Sequence, residues 1–370
     1  MTILIFFGVL LVLIIVHEFG HFIVAKRSGI RVDEFGIGFP PKLFSKKYGE
    51  TEYSINALPF GGFVRIFGEN PDEMSISGPY HARALINKPK LIQAAVLFAG
   101  VFFNILLAWI LFSSTLMMGT PAVGGVEDGR LSQYLSDQQL LVTQVLTGAP
   151  AEEASILPGD EIISLHSGTA QIKAETPEIA SSFIRDHGGE SIGIELRRDG
   201  KVETVTVTPK KGLIDSSPDT PAIGVGMGLV GTLKLPVHLA LWEGGKQTVE
   251  MLYRVAVGIG IFLYDALLFK ADLSTVAGPV GIVGLVGNAS ALGLIALMNF
   301  TAVISLNLAV INMIPFPALD GGRLFFLAIE AIKGSPIKPQ VANIFNMIGF
   351  AFLILLMLIV TYGDISRLVG

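Results

Sequence analysis

Residues 15–23 read IVHEFGHFI, with two histidines four residues apart and a glutamate between them. The sequence before this motif is apolar from Ile3 to Val16 apart from Gly8, and it continues apolar to Ala25. Two histidines at this spacing project from one face of a helix and suit two ligands of a tetrahedral zinc ion, with the glutamate as general base. Placing a charged residue at the centre of a bilayer costs roughly 2.5–3.5 kcal/mol on insertion scales. The pattern therefore predicts a zinc protease whose active site lies within a membrane.

His17, Glu18 and His21 form this motif, and a zinc protease needs a third protein ligand and an open fourth position for water. Asp320 is the strongest candidate, because it lies in a segment, 312–322, that reads NMIPFPALDGG. Prolines and glycines break a helix there, and irregular backbone at membrane depth is tolerated only where protein or a cavity satisfies it. A plain loop after a helix is the alternative explanation. The missing third ligand of the motif favours Asp320.

The composition predicts an integral membrane protein. Hydrophobic residues make up 51% of the 370 residues, charged residues make up 15%, and the mean hydropathy is +0.63. A net charge of −5 without a long basic run gives no reason to expect nucleic-acid binding. Cysteine is absent, which excludes disulfides and thiolate metal ligands. The N-terminus lacks the basic region and cleavage site of a signal peptide, so we expect it to stay as a membrane helix.

The predicted fold class is a polytopic α-helical membrane protein with about four transmembrane helices. A span requires about 17–25 residues, and the predicted spans are residues 1–25, 91–119, 291–322 and 344–362. Residues 26–90 are predicted to form a cytoplasmic or re-entrant β segment, and residues 323–343 a cytoplasmic loop.

Residues 123–212 differ from the spans because the region is polar, and because polar and apolar residues alternate along it. Segments 141–145 and 191–196 have the alternation of half-buried strands, and the turn Arg198-Asp199-Gly200-Lys201 leads into a further strand at 202–207. This region is predicted to be one inserted soluble domain of roughly 90 residues.

Residues 235–290 include a stretch, 249–269, that is apolar enough for a fifth span but contains Glu250, Arg254 and Asp265. The two histidines lie towards the C-terminal end of the first span, and Asp320 follows the C-terminal end of the third. Those ends meet only if both helices run in the same direction, which an extra crossing would forbid. We therefore predict an amphipathic helix at the membrane interface.

Lysine and arginine predict the orientation. Ten of them lie between the first two spans, and three lie between the last two, namely Arg323, Lys333 and Lys338. The positive-inside rule places both segments in the cytoplasm and the soluble domain outside. The zinc site is then expected towards the cytoplasmic side.

Several further islands carry a resemblance to a known family. They are residues 17–21 and 25–32, GIGF at 36–39, LPFGGFV at 58–64, AGPVGI at 277–282 and the block 312–322. In these the chain resembles the site-2 protease family of intramembrane metalloproteases, most closely the bacterial RIP metalloproteases of the RseP/RasP type. The resemblance implies that His17, His21 and Asp320 bind Zn²⁺, that Glu18 is catalytic and that Asn312 lies at the active site.

The resemblance also implies that the inserted domain is one extracytoplasmic PDZ domain, which can bind a peptide C-terminus or exclude bulky substrates. Residues 51–67 alternate like a bent, membrane-associated β-hairpin, and the family suggests that they re-enter the membrane near the zinc. An edge strand there could capture substrate in extended form through Pro59, Gly61, Gly62 and Phe63. A cytoplasmic hairpin without substrate contact is the alternative.

Together these features predict a multi-pass protein of the bacterial inner (plasma) membrane. The expected partners are the lipid bilayer and single-span substrates such as anti-sigma factors and remnant signal peptides. Two other functions stay open. One is a membrane zinc protease with an aqueous chamber, which usually takes a downstream glutamate as third ligand. The other is a non-enzymatic membrane PDZ adaptor.

Overall fold

The computed structural model describes residues 1–69, 73–123, 130–198, 200–213, 217–270, 272, 276–335, 337 and 339–369. They form two compact units, one comprising Met1–Thr115 with Val237–Gly370 and the other Leu116–Pro236. Two residues used in the predictions lie outside the described residues: Asp199 of the predicted turn and Lys338, one of the basic residues between the last two predicted spans. The side chain of Pro59 also lies outside them.

Long helices make up most of the first unit. In the described chain the helices are α1 (Thr2–Arg27), α2 (Glu73–Ser77), α3 (Lys90–Met118), α4 (Pro150–Glu153), α5 (Pro177–Asp186), α6 (Val237–Leu267), α7 (Pro279–Ala291), α8 (Leu294–Met313), α9 (Asp320–Lys333) and α10 (Pro339–Val369). Within the described residues, four helical segments are long and apolar enough to cross a membrane: Thr2–Arg27, Lys90–Met118, Leu294–Met313 and Gln340–Arg367. The prediction of about four helices that could span a membrane is therefore confirmed. Helix α6, which carries the charged residues that argued against a fifth span, is not among them.

Small residues bring the helices of the first unit close together. A Cβ atom on Gly20 of α1 would lie 2.5 Å from the carbonyl oxygen of Ala99, so α1 and α3 touch backbone to backbone there. Helices α3 and α8 meet through Ala108 and Ala302, which are fully buried. Because lipid tails are as apolar as leucine, close packing of this kind holds membrane helices together.

The β segment consists of two long strands, β1 (Val32–Tyr48) and β2 (Thr51–Ile66). Phe35 of β1 pairs with both Val64 and Tyr53 of β2, so the first part of β1 lies between two parts of a bent β2. The sequence had suggested a hairpin inside 51–67, whereas the turn lies at residues 49 and 50. The difference arises because Pro59 and the glycines after it bend a continuing strand.

In the described residues of the second unit, an antiparallel sheet packs with two short helices, α4 and α5. Its strands are β3 (Thr120–Val123), β4 (Leu135–Val145), β5 (Glu161–Ser167), β6 (Ala170–Lys173), β7 (Ile192–Arg198), β8 (Lys201–Val207) and β9 (Val225–Leu233). The described sheet order is β3-β9-β4-β5-β7-β8, with β6 paired to β5. Helix α5 buries Phe183 and Ile184 in the apolar core. The unit extends beyond the predicted 123–212, because β9 pairs with both β3 and β4.

Candidate metal centre

Helix α1 presents the two histidines on one face. His17 and His21 are separated by about one helical turn, and α1 continues as a helix to Arg27. Their rings lie edge to face with centroids 4.9 Å apart. Only 13% of the His17 side chain and 10% of the His21 side chain are exposed. The two imidazoles are therefore sheltered.

A sharp turn between α8 and α9 places Asp320 opposite these rings. Helix α8 ends at Met313 and α9 begins at Asp320, where a carboxylate is favoured by the helix dipole. The turn is tight, because a Cβ atom on Gly321 would lie 2.3 Å from the carbonyl oxygen of Ile314. Only glycine fits directly after Asp320.

Three side-chain atoms converge at one point. Asp320 Oδ2 lies 3.1 Å from His17 Nε2 and 3.3 Å from His21 Nε2, and the two nitrogens are 3.3 Å apart. Zinc bonds of 2.0–2.1 Å in tetrahedral geometry separate the ligand atoms by about 3.3 Å. The spacing of the three atoms thus equals the edge of a zinc tetrahedron.

Hydrogen bonds behind the rings set the proton positions. His21 Nδ1 lies 2.8 Å from the carbonyl oxygen of Val96, which can only accept, so Nδ1 carries the proton and Nε2 a lone pair. The amide of Asn104 lies 3.2 Å from His17 Nδ1 through its nitrogen, while its Oδ1 is buried without a partner among the described residues. A half-turn of that amide brings Oδ1 against His17 Nδ1–H, which leaves the Nε2 of both histidines free to bind metal.

The residues present fit a metal ion. Asp320 Oδ2 is buried and accepts no hydrogen bond among the described residues, although two nitrogen lone pairs face it. Three acceptors this close repel one another unless a cation lies between them, and an imidazole, imidazole, carboxylate set is one that zinc takes. His17, His21 and Asp320 also form a potential metal-binding group by proximity.

Gly100 of α3 forms the back wall of the centre. A Cβ atom there would lie 2.4 Å from His21 Nε2 and 2.8 Å from His17 Nε2. No side chain can occupy this position without displacing the ligand atoms. Val96, Gly100 and Asn104 recur every four residues, so one face of α3 contacts both histidines.

Strand β2 lies against the motif glutamate. The backbone N–H of Val64 donates a hydrogen bond to the Glu18 carboxylate. A Cβ atom on Gly62 would lie 3.0 Å from Ile14 Cγ2 and 3.5 Å from Glu18 Cγ, so the strand approaches α1 closely. The end of β2 that pairs with β1 at Phe63 and Val64 has no second strand partner among the described residues.

The turn of the β segment is tied to the end of α1. Glu50 accepts hydrogen bonds from Lys26 at 2.8 Å and from Arg83 at 2.7 and 2.8 Å. The bonds from Arg83, followed by those from Lys26, lower the pKa of Glu50 to about 2. The carboxylate therefore stays charged and bound over the physiological range.

The other predicted residues lie at different distances from the centre. Asn312 is in the last turn of α8, and in the described part of the chain its side chain makes no hydrogen bond to the three converging atoms. Gly61 packs under the ring of Phe39, which stacks with Phe63 at 6.5 Å between centroids. Gly62 of the predicted strand residues lies beside Glu18.

Two residues of the site, Asn104 and Gly100, were not predicted from the sequence. Asn104 is a polar residue in an apolar span, and such residues are rare enough to mark function, so it could have been found. Gly100 carried no such signal. Its role depends on where α3 crosses α1, which the sequence does not specify.

Comparison with known proteins gives consistent findings. The chain matches Peptidase family M50 over residues 5–356. The zinc metalloprotease RasP of Geobacillus kaustophilus is 30% identical, and the alignment covers 96% of this chain and 95% of that protein. The regulator of sigma-W protease RasP of Bacillus subtilis is 28% identical, with 99% of each chain covered.

A solved structure is similar to a small part of the chain. It is the PDZ domain of an SdrC-like protein from Listeria monocytogenes, 19% identical, covering 24% of this chain and 86% of that one with a TM-score of 0.21. The PDZ assignment of the inserted unit stays a prediction.

Proposed function

The chain belongs to the peptidase M50 family, and on this premise we propose that it is an intramembrane endopeptidase that cuts single-span membrane proteins. Family membership confirms the resemblance predicted from the motifs, together with metalloprotease activity and zinc as cofactor. The observation that carries the proposal is the convergence of His17, His21 and Asp320 beside Glu18, with both histidines on a helix apolar enough to span a membrane.

In the proposed reaction, His17, His21 and Asp320 hold the metal and Glu18 moves the proton. Bound zinc supplies Lewis acidity to the scissile carbonyl and to the attacking water. Glu18 takes a proton from that water and delivers it to the leaving nitrogen. The hydrogen bond from Val64 N–H holds the carboxylate in place for both transfers. Asn312 is proposed to hydrogen-bond the substrate backbone or the oxyanion.

Strand β2 is proposed to present the substrate. A transmembrane helix hides its peptide bonds in its own hydrogen bonds, so the segment to be cut must first become extended. Addition to a strand edge provides the lost backbone hydrogen bonds. The part of β2 around Gly62 supports this role, because it lies against Glu18 and has an edge without a strand partner among the described residues.

The distribution of lysine and arginine supports a placement of the protein in the cell. We propose a bacterial inner-membrane location with the β segment and the loop after α9 in the cytoplasm and the Leu116–Pro236 unit outside. This unit would act as a PDZ domain that binds a peptide C-terminus or excludes substrates with bulky external domains. The name of the Bacillus subtilis relative, a regulator of sigma-W protease, supports anti-sigma factors as substrates, beside remnant signal peptides.

The test is cleavage of a model single-span substrate by purified protein in detergent, wild type beside Glu18→Gln, with zinc content measured on both. We expect one zinc on each protein and cleavage by wild type alone. Asp320→Ala should lose the zinc. If another downstream acid, rather than Asp320, proves essential for zinc, the aqueous-chamber alternative gains. Unaltered cellular function of Glu18→Gln would favour the adaptor.

A further inference from the structure

Arg323 lies one helical turn after Asp320 on α9, so the two side chains share a face of the helix. The Arg323 guanidinium forms an ion pair with Glu69, which follows the end of β2. The exposed fractions of the two side chains are 32% and 22%. Water therefore screens this pair less than a pair on an open surface.

The backbone that leads to Glu69 is held in place by contacts with neighbouring segments. The residue two positions before it, Phe67, donates its N–H to the carbonyl oxygen of Arg31 at 2.9 Å and accepts from Leu85 N–H at 2.8 Å. Gly68 has a φ of +76°, and a Cβ atom there would lie 2.6 Å from that of Ala84. The backbone leading to Glu69 is thus held on two sides.

Each residue of the ion pair belongs to a segment that also positions a residue of the site, Asp320 for Arg323 and Glu18 for Glu69. On one side, Asp320 starts the helix that carries Arg323. On the other, β2 ends three residues before Glu69, and it holds Glu18 through Val64 N–H.

We propose that Arg323 is a positioning residue that, through Glu69, fixes the metal-ligand helix α9 relative to the strand that orients Glu18. The inference rests on the proposed protease function. The Pro- and Gly-rich turn means that no regular helix precedes α9 and holds its first residues in place. A contact from the side, such as the ion pair with Glu69, is therefore needed to fix the start of α9. A displacement of about 1 Å between reacting groups can cost as much as 100-fold in rate.

A second ion pair on the same helix provides a matched control. Glu330, near the end of α9, pairs with Lys90 at the start of α3. This pair also ties α9 to a neighbouring element, but it lies at the far end from Asp320. Loss of either pair removes one ion pair from α9, whereas only loss of the Arg323 pair should disturb the centre.

The experiment compares Arg323→Gln, Glu69→Gln, the double variant, Arg323→Lys and the control Glu330→Gln in the full chain. Cleavage of a single-span substrate is measured with zinc in excess, and zinc loss is measured separately against a chelator. We expect Arg323→Gln and Glu69→Gln each to lower kcat about tenfold at little-changed KM and to release zinc about tenfold faster. The double variant should be no worse than either single one, Arg323→Lys should recover most of the activity, and Glu330→Gln should match wild type.

Equal losses in Arg323→Gln and Glu330→Gln would overturn the positioning role, since both would then reflect only the stability of α9. Additive losses in the double variant would overturn it as well, because Arg323 and Glu69 would be acting separately. Wild-type protein that holds zinc and cuts no single-span substrate would overturn the proposed function and this inference with it. Active wild type beside a fully active Arg323→Gln would overturn the inference alone.

Discussion

The metal centre and the core of the Leu116–Pro236 unit are built on different contacts. The centre depends on a few contacts that are very close or directional. Examples are the contact of the Gly100 backbone with both histidines and the hydrogen bond of the fully buried Asn104 amide. The core of the second unit is a cluster of apolar side chains, including Leu140, Leu165 and Ile194, each no more than 2% exposed. Burial of apolar area stabilises the second unit by summation, whereas lipid offers no such gain between membrane helices.

This difference teaches where single substitutions should be decisive. At the centre, one added atom can displace a proposed metal ligand without unfolding the helices. In the second unit, one removed side chain lowers stability by degrees and leaves the metal centre intact.

The largest expected effect is that of Gly100→Ala. The new methyl group would overlap the Nε2 atoms of both histidines, at 2.4 Å from His21 and 2.8 Å from His17. We expect loss of zinc and a fall in cleavage rate of more than about 100-fold, as the ligands can no longer converge. Zinc content and cleavage rate of the purified protein are the measurements.

The matched control for this prediction is Gly8→Ala on α1, where an added Cβ would meet no atom of the described residues within 4 Å outside its own stretch of helix backbone. It should retain zinc and activity. If Gly100→Ala keeps both as well, the close crossing of α1 and α3 at the histidines is wrong.

Asn104→Leu should have the next largest effect. The substitution removes the partner of His17 Nδ1 but puts an apolar side chain of similar size in its place. Loss of such a partner typically costs 10–100-fold in metal affinity or activity, so we expect weaker zinc binding in a chelator competition. Ser114→Ala, on the same helix, removes only a hydrogen bond to Ile110 of that helix and is the control. Equal zinc affinity in the two variants would contradict a role for the Asn104 amide.

The sequence predicted the proposed ligands of the centre, because their signals are local. The spacing of His17 and His21 fixes a shared helix face, and the Pro- and Gly-rich block around Asp320 marks a break after an apolar helix. Length and hydropathy alone were enough for the four candidate spans.

The remaining features depend on contacts between distant segments. Val96 lies 75 residues from His21 and Asn104 lies 87 residues from His17, so no local pattern joins them. Strand β1 contains glycines and the pair Pro40-Pro41, which argue against a strand. It forms one because part of it lies between two parts of β2, which satisfies its backbone.

In the second unit, Leu165→Ala tests the graded behaviour expected of an apolar core. Leu165 is fully buried in β5, and truncation of a buried leucine costs about 2–5 kcal/mol. We expect faster hydrogen exchange in β5 and β7 of the full-length protein with unchanged zinc content. Val202→Ala in β8, where the side chain is 57% exposed, should change exchange little. Zinc loss in Leu165→Ala would show that the two regions do not respond separately.

The smallest predicted effect concerns a buried ion pair in the second unit, whose core is otherwise apolar. Asp160, which is 1% exposed, accepts hydrogen bonds from Arg198 at 2.6 and 2.7 Å and from Leu157 N–H at 2.8 Å. The bonds from Arg198 lower the pKa of Asp160 below its ordinary value. The stabilisation is therefore fully present above the unfolded pKa of about 3.9 and is lost as the pH falls through the lower folded value.

Asp160→Asn should cost roughly 1.5–3 kcal/mol at neutral pH, the range for a hydrogen bond to a charged group. It should also flatten the fall in stability of this unit below about pH 4. Hydrogen exchange of β5 and β7 in the full-length protein at neutral and acid pH measures both effects. Glu175→Gln, which breaks the exposed pair with Lys173, is the control and should leave the acid slope unchanged. An equal acid slope in wild type and Asp160→Asn would mean that this carboxylate does not couple the folding of the unit to pH.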